Sequence, residues 1–279
     1  MYTQLEDEFG DIVGKARRGQ ELSIEAVAAQ AALSAGDLGQ VEAYELIPPA
    51  DGVGRLAQTL GLGSASLKAS AEKRFFPRYP TGRVPGGVML EMLVLGTDWL
   101  MNGYVFGCAR TKRGVVIDPG YEAAKILKAI DRAGLEIDMV LLTHGHPDHI
   151  GALAEICQAT GAPAFVNEAD LALLGRLNSR IEGSLSEGQT VSIGDQELLV
   201  ACTPGHTAGG ISLLHRDIAF VGDALFAGSL GGTKSKASYD LQRTSVAENL
   251  LTLDDHVALF PGHGPATTVA EEKANNPFF

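Results

Sequence analysis

Residues 143–149 read THGHPDH, which gathers three of the chain's seven histidines and an aspartate into one loop. The apolar segment IDMVLL precedes it and IGALAEICQATG follows. The first has the length and continuity of a buried strand; the second has helical spacing of apolar residues and a glycine stop. Imidazoles at such a junction stand where side chains from one sheet edge converge on a point, so the chain is read as an α/β protein with its chemistry at that edge. His144 and His146 are two residues apart, and Asp148 and His149 are adjacent, so a bent loop aims different pairs in different directions. His206 in TPGHT, Asp223 in VGDALF and His263 in FPGHGP each stand at the end of a predicted strand. A single tetrahedral zinc takes only three or four protein ligands. This set is too large for one ion and suits two, with Asp223 able to bridge through its two oxygens as no imidazole can.

The rest of the chain falls into two patterns. Up to residue 75 it reads as short helices, over 4–19, from Ile24 after a Ser23 cap, over 34–44, and over 53–62 after Asp51. The segment FFPRYPTGRVPGG then breaks the pattern. Beyond it the spacing predicts strands over 89–95, 102–109 and 114–120, followed by alternation: a helix over 121–134, a strand over 137–143, a helix over 150–161 and a strand over 163–167. Later strands are expected over 197–205, 210–216 and 217–226, with a helix over 239–253 and a last strand within 256–264. The expected division is a small helical segment, 1–75, a linker, 76–87, and an α/β domain, 88–279. No internal repeat interrupts it.

Charge narrows the partners. A formal net charge of −12 and a pI near 5.0 leave no basic face for nucleic acid or an anionic membrane, so a small-molecule substrate is expected. The most apolar stretch, GGVMLEMLVLGTDWL, is broken by Glu91 and Asp98 well short of the roughly 20 residues of a membrane span. The start, MYTQLEDEFGD, has neither the basic nor the apolar region of a signal peptide, which makes the cytoplasm the expected location. Cys108, Cys157 and Cys202 are widely spaced in apolar surroundings and read as buried reduced thiols. His215 and His256 fit no ligand position.

HxHxDH followed by TPGHT, GDALF and PGHG resembles the metallo-β-lactamase-fold hydrolases, and GDALFAGSLGGT with the tail FPGHGPATTVAEEKANNPFF is similar to their glyoxalase II-like (hydroxyacylglutathione hydrolase-like) branch. The resemblance covers roughly residues 88–279, with the motifs in the family's order. It implies a four-layer αβ/βα sandwich, preceded here by the all-α segment, and a site between the two halves. It further implies that His144, His146 and His206 hold one divalent metal, that Asp148, His149 and His263 hold the other, and that Asp223 bridges them. Asp148 and Asp223 are then the catalytic carboxylates. The metal would most readily be Zn, with Fe or Mn as alternatives. Two such ions about 3.5–4 Å apart share a bridging hydroxide of lowered pKa and polarise the carbonyl it attacks, so a thioester hydrolase is the leading expectation. Asp118 in VVIDPG is expected to fix the tautomer of a ligand histidine, against plain turn chemistry for Asp-Pro-Gly.

Three features depart from that branch. Only 16 residues follow His263, where full glyoxalase II enzymes carry a C-terminal helical domain supplying much of the glutathione site. Related enzymes read GRTD where this chain has GGTK, so Gly232 and Lys234 replace an Arg and an Asp. In SLGGTKSKASY, Lys234 and Lys236 form a basic pair expected to bind the anionic tail of a thioester. Residues 22–42 weakly resemble a helix-turn-helix, but seven Lys and Arg against eleven Asp and Glu in the first 75 residues would repel DNA. Packing, homodimerisation or covering of the site is the expected role of these helices. Two other functions are weighed: a persulfide dioxygenase-like oxidoreductase with one iron on His144, His206 and Asp223, and a metal-sensing DNA-binding regulator.

Overall fold

A computed structural model of the chain describes residues 2–279. Five helices come first: α1 (Phe9–Gly19), α2 (Ile24–Gln30), α3 (Ala35–Glu42), α4 (Ala50–Leu60) and α5 (Ser64–Ala71). Ser23 caps α2 by accepting from the Ala26 amide, and Ser34 caps α3 in a reciprocal box with Asp37. The helix expected over 4–19 begins only at Phe9, because Glu8 and Asp11 form a capping box there. The sequence reading missed α5. Val13, Val27, Leu38, Leu56, Leu60 and Leu67 bury together with Leu230, Tyr239 and Phe278 from the far end of the chain. The helices therefore share a core with the domain they precede.

Two six-stranded sheets follow. The first runs in the order β1 (Val88–Leu95), β2 (Met101–Cys108), β3 (Arg113–Ile117), β4 (Glu136–Leu141), β5 (Ala164–Val166) and β6 (Ile181–Ser184). Between these strands lie α6 (Ala123–Ala133), α7 (Pro147–Ile150), α8 (Leu153–Thr160) and a 3-10 segment, Glu168–Arg180. The second sheet consists of β7 (Thr190–Ile193), β8 (Gln196–Cys202), β9 (Ile211–Leu214), β10 (Ile218–Gly222), β11 (Ala258–Pro261) and β12 (Thr267–Thr268), with α9 (Lys236–Asn249) and α10 (Val269–Asn275).

The period-2 alternation of strands sorts side chains into layers. Tyr104, Phe106, Val115 and Ile117 face Val200, Leu213, Phe220 and Phe260 across the two sheets. Their neighbours Val105 and Val116 turn outward to Ile126, Leu153 and Ile156 of α6 and α8. On the other flank Ala219, Val221 and Leu259 pack against Val246 and Leu250. The result is the expected four-layer αβ/βα sandwich. Sequence spacing missed the 3-10 segment, β6, β7, β12 and α10, which are either too short to show a period or, over 168–180, kinked at Gly175.

No helix is long and apolar enough to cross a membrane among the described residues.

Candidate metal centre

The carboxyl ends of five strands, two from the first sheet and three from the second, meet at one edge of the sandwich. Asp118 follows β3, the THGHPDH loop follows β4, His206 follows β8, Asp223 follows β10 and His263 follows β11. His144, His149, Asp223 and His263 are buried, and the three histidines and one aspartate of the loop are turned two ways by α7, with Pro147 at its first position and His146 as its N-cap.

Four histidines have one ring nitrogen committed to the protein. The Nδ1–H of His206 donates to the carbonyl of Gly232 at 2.7 Å, and that of His263 to the carbonyl of Leu100 at 2.7 Å. His149 donates from Nδ1 to Asp118 at 3.0 Å. His144 Nδ1 lies 3.1 Å from Thr143 Oγ1, which itself donates to Asp118 at 2.6 Å. A carbonyl only accepts, so the His206 and His263 protons sit on Nδ1 and the Nε2 lone pairs are free. His146 has no such anchor and turns Nδ1 inward.

The free atoms gather in two sets. His146 Nδ1 is 3.1 Å from His144 Nε2 and 2.9 Å from His206 Nε2, and Asp223 Oδ2 is 3.3 Å from His206 Nε2 and 3.9 Å from His144 Nε2. In the second set His149 and His263 are 3.4 Å apart at Nε2, with Asp148 Oδ2 at 3.8 and 3.3 Å from them. Asp223 Oδ1 lies 3.4 Å from His149 and Oδ2 lies 3.5 Å from His263. Donors about 2.0–2.1 Å from a tetrahedral zinc are about 3.3 Å from one another, so both sets have the spacing of ligand shells. A third grouping, Asp118 with His144 and His149, is also close enough to bind an ion. Asp118, however, already accepts from the Thr143 amide at 2.7 Å, from the Thr143 hydroxyl and from His149. It is a buried acceptor that orients the histidines.

One observation tests whether a cation fits. Asp223 is 7% exposed, and its Oδ1 has no hydrogen-bond partner among the described residues. A buried carboxylate oxygen left unpaired is costly, and a divalent ion between the two sets removes that cost. A side chain at position 262 would sit in the same space, since a Cβ there would lie 2.1 Å from Asp223 Oδ1 and 2.6 Å from His149. Glycine is required. Burial opposes the charge on Asp223, but His263, His149 and His144 outweigh it and hold its carboxyl well below the usual range. Burial also opposes the Asp148 charge, and His263 and His149 hold that carboxyl down as well. The imidazole of His144 is pushed well down by burial and by neighbouring His149. Burial pushes His149 and His263 down, but Asp223, with Asp118 at the first and Asp148 at the second, outweighs it and raises both, so these two rings would release a proton on binding metal, since neutral imidazoles and ionised carboxylates are the binding forms.

Other residues singled out in the sequence lie elsewhere or in other roles. Lys236 pairs with Asp240 one turn along α9, whereas Lys234 is exposed and, among the described residues, has no ion-pair partner. His215 contacts Gln196 and His256 contacts Asp217, both away from the centre. Cys108, Cys157 and Cys202 are unpaired. Sequence reading missed Asp170. This fully buried carboxylate accepts from the Gly145 amide at 2.9 Å and the Gly209 amide at 2.7 Å, and so ties the loop between His144 and His146 to the turn after His206. Nothing in its sequence context, NEADLALL, marks it as more than a helix-turn acid.

A family model described as the metallo-beta-lactamase superfamily matches residues 97–263. The chain is 33% identical over 185 residues to the hydroxyacylglutathione hydrolase GloC of Haemophilus influenzae, covering 60% of this chain and 87% of that one. Among solved structures, the BLEG-1 B3 metallo-beta-lactamase superposes with a TM-score of 0.60 at 30% identity, over 68% of this chain and 99% of that one. TTHA1623 in a di-iron-bound form superposes with a TM-score of 0.55 at 30% identity, over 68% and 100%. Helices α1–α5 lie outside the family match.

Proposed function

The chain belongs to the metallo-beta-lactamase superfamily and is a metal-dependent hydrolase; from that premise we propose that it is a dinuclear thioesterase of the glyoxalase II-like type. His144, His146 and His206 hold one ion, Asp148, His149 and His263 the other, and Asp223 joins them. The observation that carries the reading is the position of the Asp223 carboxylate, which reaches both donor sets and has an unpartnered oxygen. Zn is the metal best suited to these imidazole and carboxylate donors, with Fe and Mn as alternatives. Support for the substrate class comes from the similarity to GloC, whose name specifies a hydroxyacylglutathione.

Divalent ions held there lower the pKa of a water towards about 7 and polarise a carbonyl. The side chains do the rest. Asp148, with 29% of its side chain exposed, is the ligand carboxylate most open to solvent and holds the attacking water by accepting its hydrogen bond. The water gives up its proton to solvent on the open side of Asp148; as the new C–O bond forms the C–S bond breaks, its electron pair leaves on sulfur as the thiolate, and the acid product releases its proton to solvent. Asp118 and Asp170 keep the donor atoms in register. Lys234, without an ion-pair partner among the described residues, would meet an anionic part of the substrate; Lys236 is already engaged by Asp240.

The reading divides the chain at 1–75, 76–87 and 88–279, and places it in the cytoplasm on the support of three unpaired cysteines. Half-buried Asp37 and exposed Gln40 on α3, and Glu42 paired with Arg17, leave that helix nothing with which to hold a phosphate backbone. Metal analysis and turnover of Asp223→Ala decide the main claim. The wild type should hold about two ions per chain and cleave simple thioesters, and the variant should lose both properties. One iron per chain with oxygen uptake on glutathione persulfide would replace the hydrolase by a dioxygenase.

A further inference from the structure

The helical segment outside the family match packs on the loops that carry two of the candidate ligands. Tyr2 donates to Asn102 Oδ1 at 3.0 Å, and Asn102 in turn donates to the carbonyls of Pro261 and Gly264 at 3.0 and 2.8 Å, on either side of His263. Gly264 has a φ of +73°, and a Cβ at that position would lie 2.9 Å from the Cβ of Glu6. On the other flank Lys15 pairs with Asp7, donates to the carbonyl of Leu230 at 3.0 Å, and lies 4.8 Å from the centre of the Phe226 ring, whose edge meets His263. Leu230 and Phe226 belong to the loop that follows Asp223. Residues 2–7 therefore form a strap laid across the Asp223 and His263 loops.

Glu6 is the residue of that strap with a charge to spare. Tyr2 and Asp7 are bound to Asn102 and Lys15, whereas Glu6 is exposed and has no hydrogen-bond or ion-pair partner among the described residues. Its Cβ packs against Gly264, the residue next to His263, so the carboxylate stands beside the loop that carries that candidate ligand. A lone carboxylate beside such a loop favours cations and repels anions over a range near the Debye length, about 8–10 Å.

We propose that the N-terminal strap is a wall of the substrate site and that Glu6 is its specificity-determining residue, selecting thioesters whose thiol half carries an ammonium group near the scissile bond. The assignment rests on the thioesterase reading above. It complements Lys234, which approaches from the loop whose Gly232 carbonyl holds His206. A thiol half bearing both an ammonium and a carboxylate satisfies the two together.

The test uses three acetyl thioesters that differ in tail charge: acetylthiocholine, S-acetyl-N-acetylcysteamine and S-acetyl-3-mercaptopropionate. Glu6→Gln should raise KM for the cationic substrate several-fold, leave the neutral one unchanged and lower KM for the anionic one, with kcat held throughout. Glu6→Lys should reverse the preference. Added salt should shrink every difference. Equal changes on all three substrates overturn the assignment. A second readout does not depend on turnover: the affinities of thiocholine, N-acetylcysteamine and 3-mercaptopropionate for the cobalt-loaded protein, followed by sulfur-to-cobalt absorption. Loss of thiocholine affinity in Glu6→Gln without any wild-type thioesterase activity would retain Glu6 and reject the reaction class. Thioesterase activity with unchanged thiol affinities would do the reverse.

Discussion

Asp118 accepts the Nδ1–H of His149 at 3.0 Å where both side chains are almost fully buried, so an imidazole that turns its other nitrogen to Asp148 and Asp223 is held by a carboxylate behind it. Asp118 also accepts from the Thr143 amide and hydroxyl, and its own backbone has a φ of +48°, a conformation aspartate tolerates better than most residues. Asp118→Asn should weaken metal retention about 10–100-fold, mainly at the set containing His149. Competition with a chelator, followed by metal analysis, measures it. Unchanged retention would mean that the ring needs no orienting acceptor.

Asp170 makes a distinct prediction. Asp170→Ala leaves the Gly145 and Gly209 amides without their acceptor, at a cost of about 1–3 kcal/mol each. Asp170→Asn keeps one acceptor oxygen and should lose roughly half as much. Urea unfolding gives the stability change, and metal affinity well below the transition shows whether the residue positions the histidines. A stability loss with wild-type metal affinity would make Asp170 purely structural.

Glu272 links pH to stability. It is fully buried in α10 and accepts from the Gly228 amide, Thr267 and Asn276. Burial dominates and raises its pKa from 4.5 to about 7, against the pull of those donors. A carboxyl raised on folding binds its proton more tightly in the folded state, so its contribution is most favourable below pH 4.5 and is lost as the pH climbs to about 7. The full span is on the order of 3 kcal/mol. Denaturant midpoints of wild type and Glu272→Gln, compared at pH 5 and pH 8, should differ in slope, with the variant lacking this pH-dependent loss. Parallel profiles would show that Glu272 does not titrate in this range.

Lys234→Ala should raise KM for an anionic thioester several-fold and leave a neutral one almost unaffected, since Lys234 has no competing acidic partner among the described residues. Lys236→Ala should do little to either, because Asp240 already holds that ammonium. Steady-state kinetics at two ionic strengths measures both. Equal effects of the two substitutions would mean that pairing on α9 is broken when substrate binds.

The candidate metal ligands were legible in the chain because ligand chemistry leaves few substitutes: imidazoles and carboxylates at strand ends, spaced HxHxDH, stand out in the sequence. The strands were legible as short apolar runs between turns, and the sandwich through the family resemblance those motifs carry; β2 and β3 are buried on both faces, so packing decided which side chain belongs to which layer. What tertiary structure decided are relationships between residues distant in sequence. Asp170 looks like any helix-turn acid until Gly145 and Gly209 are brought to its two oxygens, and Lys234 and Lys236 look equivalent until α9 delivers Asp240 to one of them. The helical segment reads as a small bundle for packing, dimerisation or covering the site, without saying which; in the fold its core is completed by Leu230, Tyr239 and Phe278, and its first residues reach the loop of His263. Local pattern carries propensity and ligand type, which act over a few residues. Which buried oxygen meets which amide, and which charge is left unpaired, depends on packing across the whole chain.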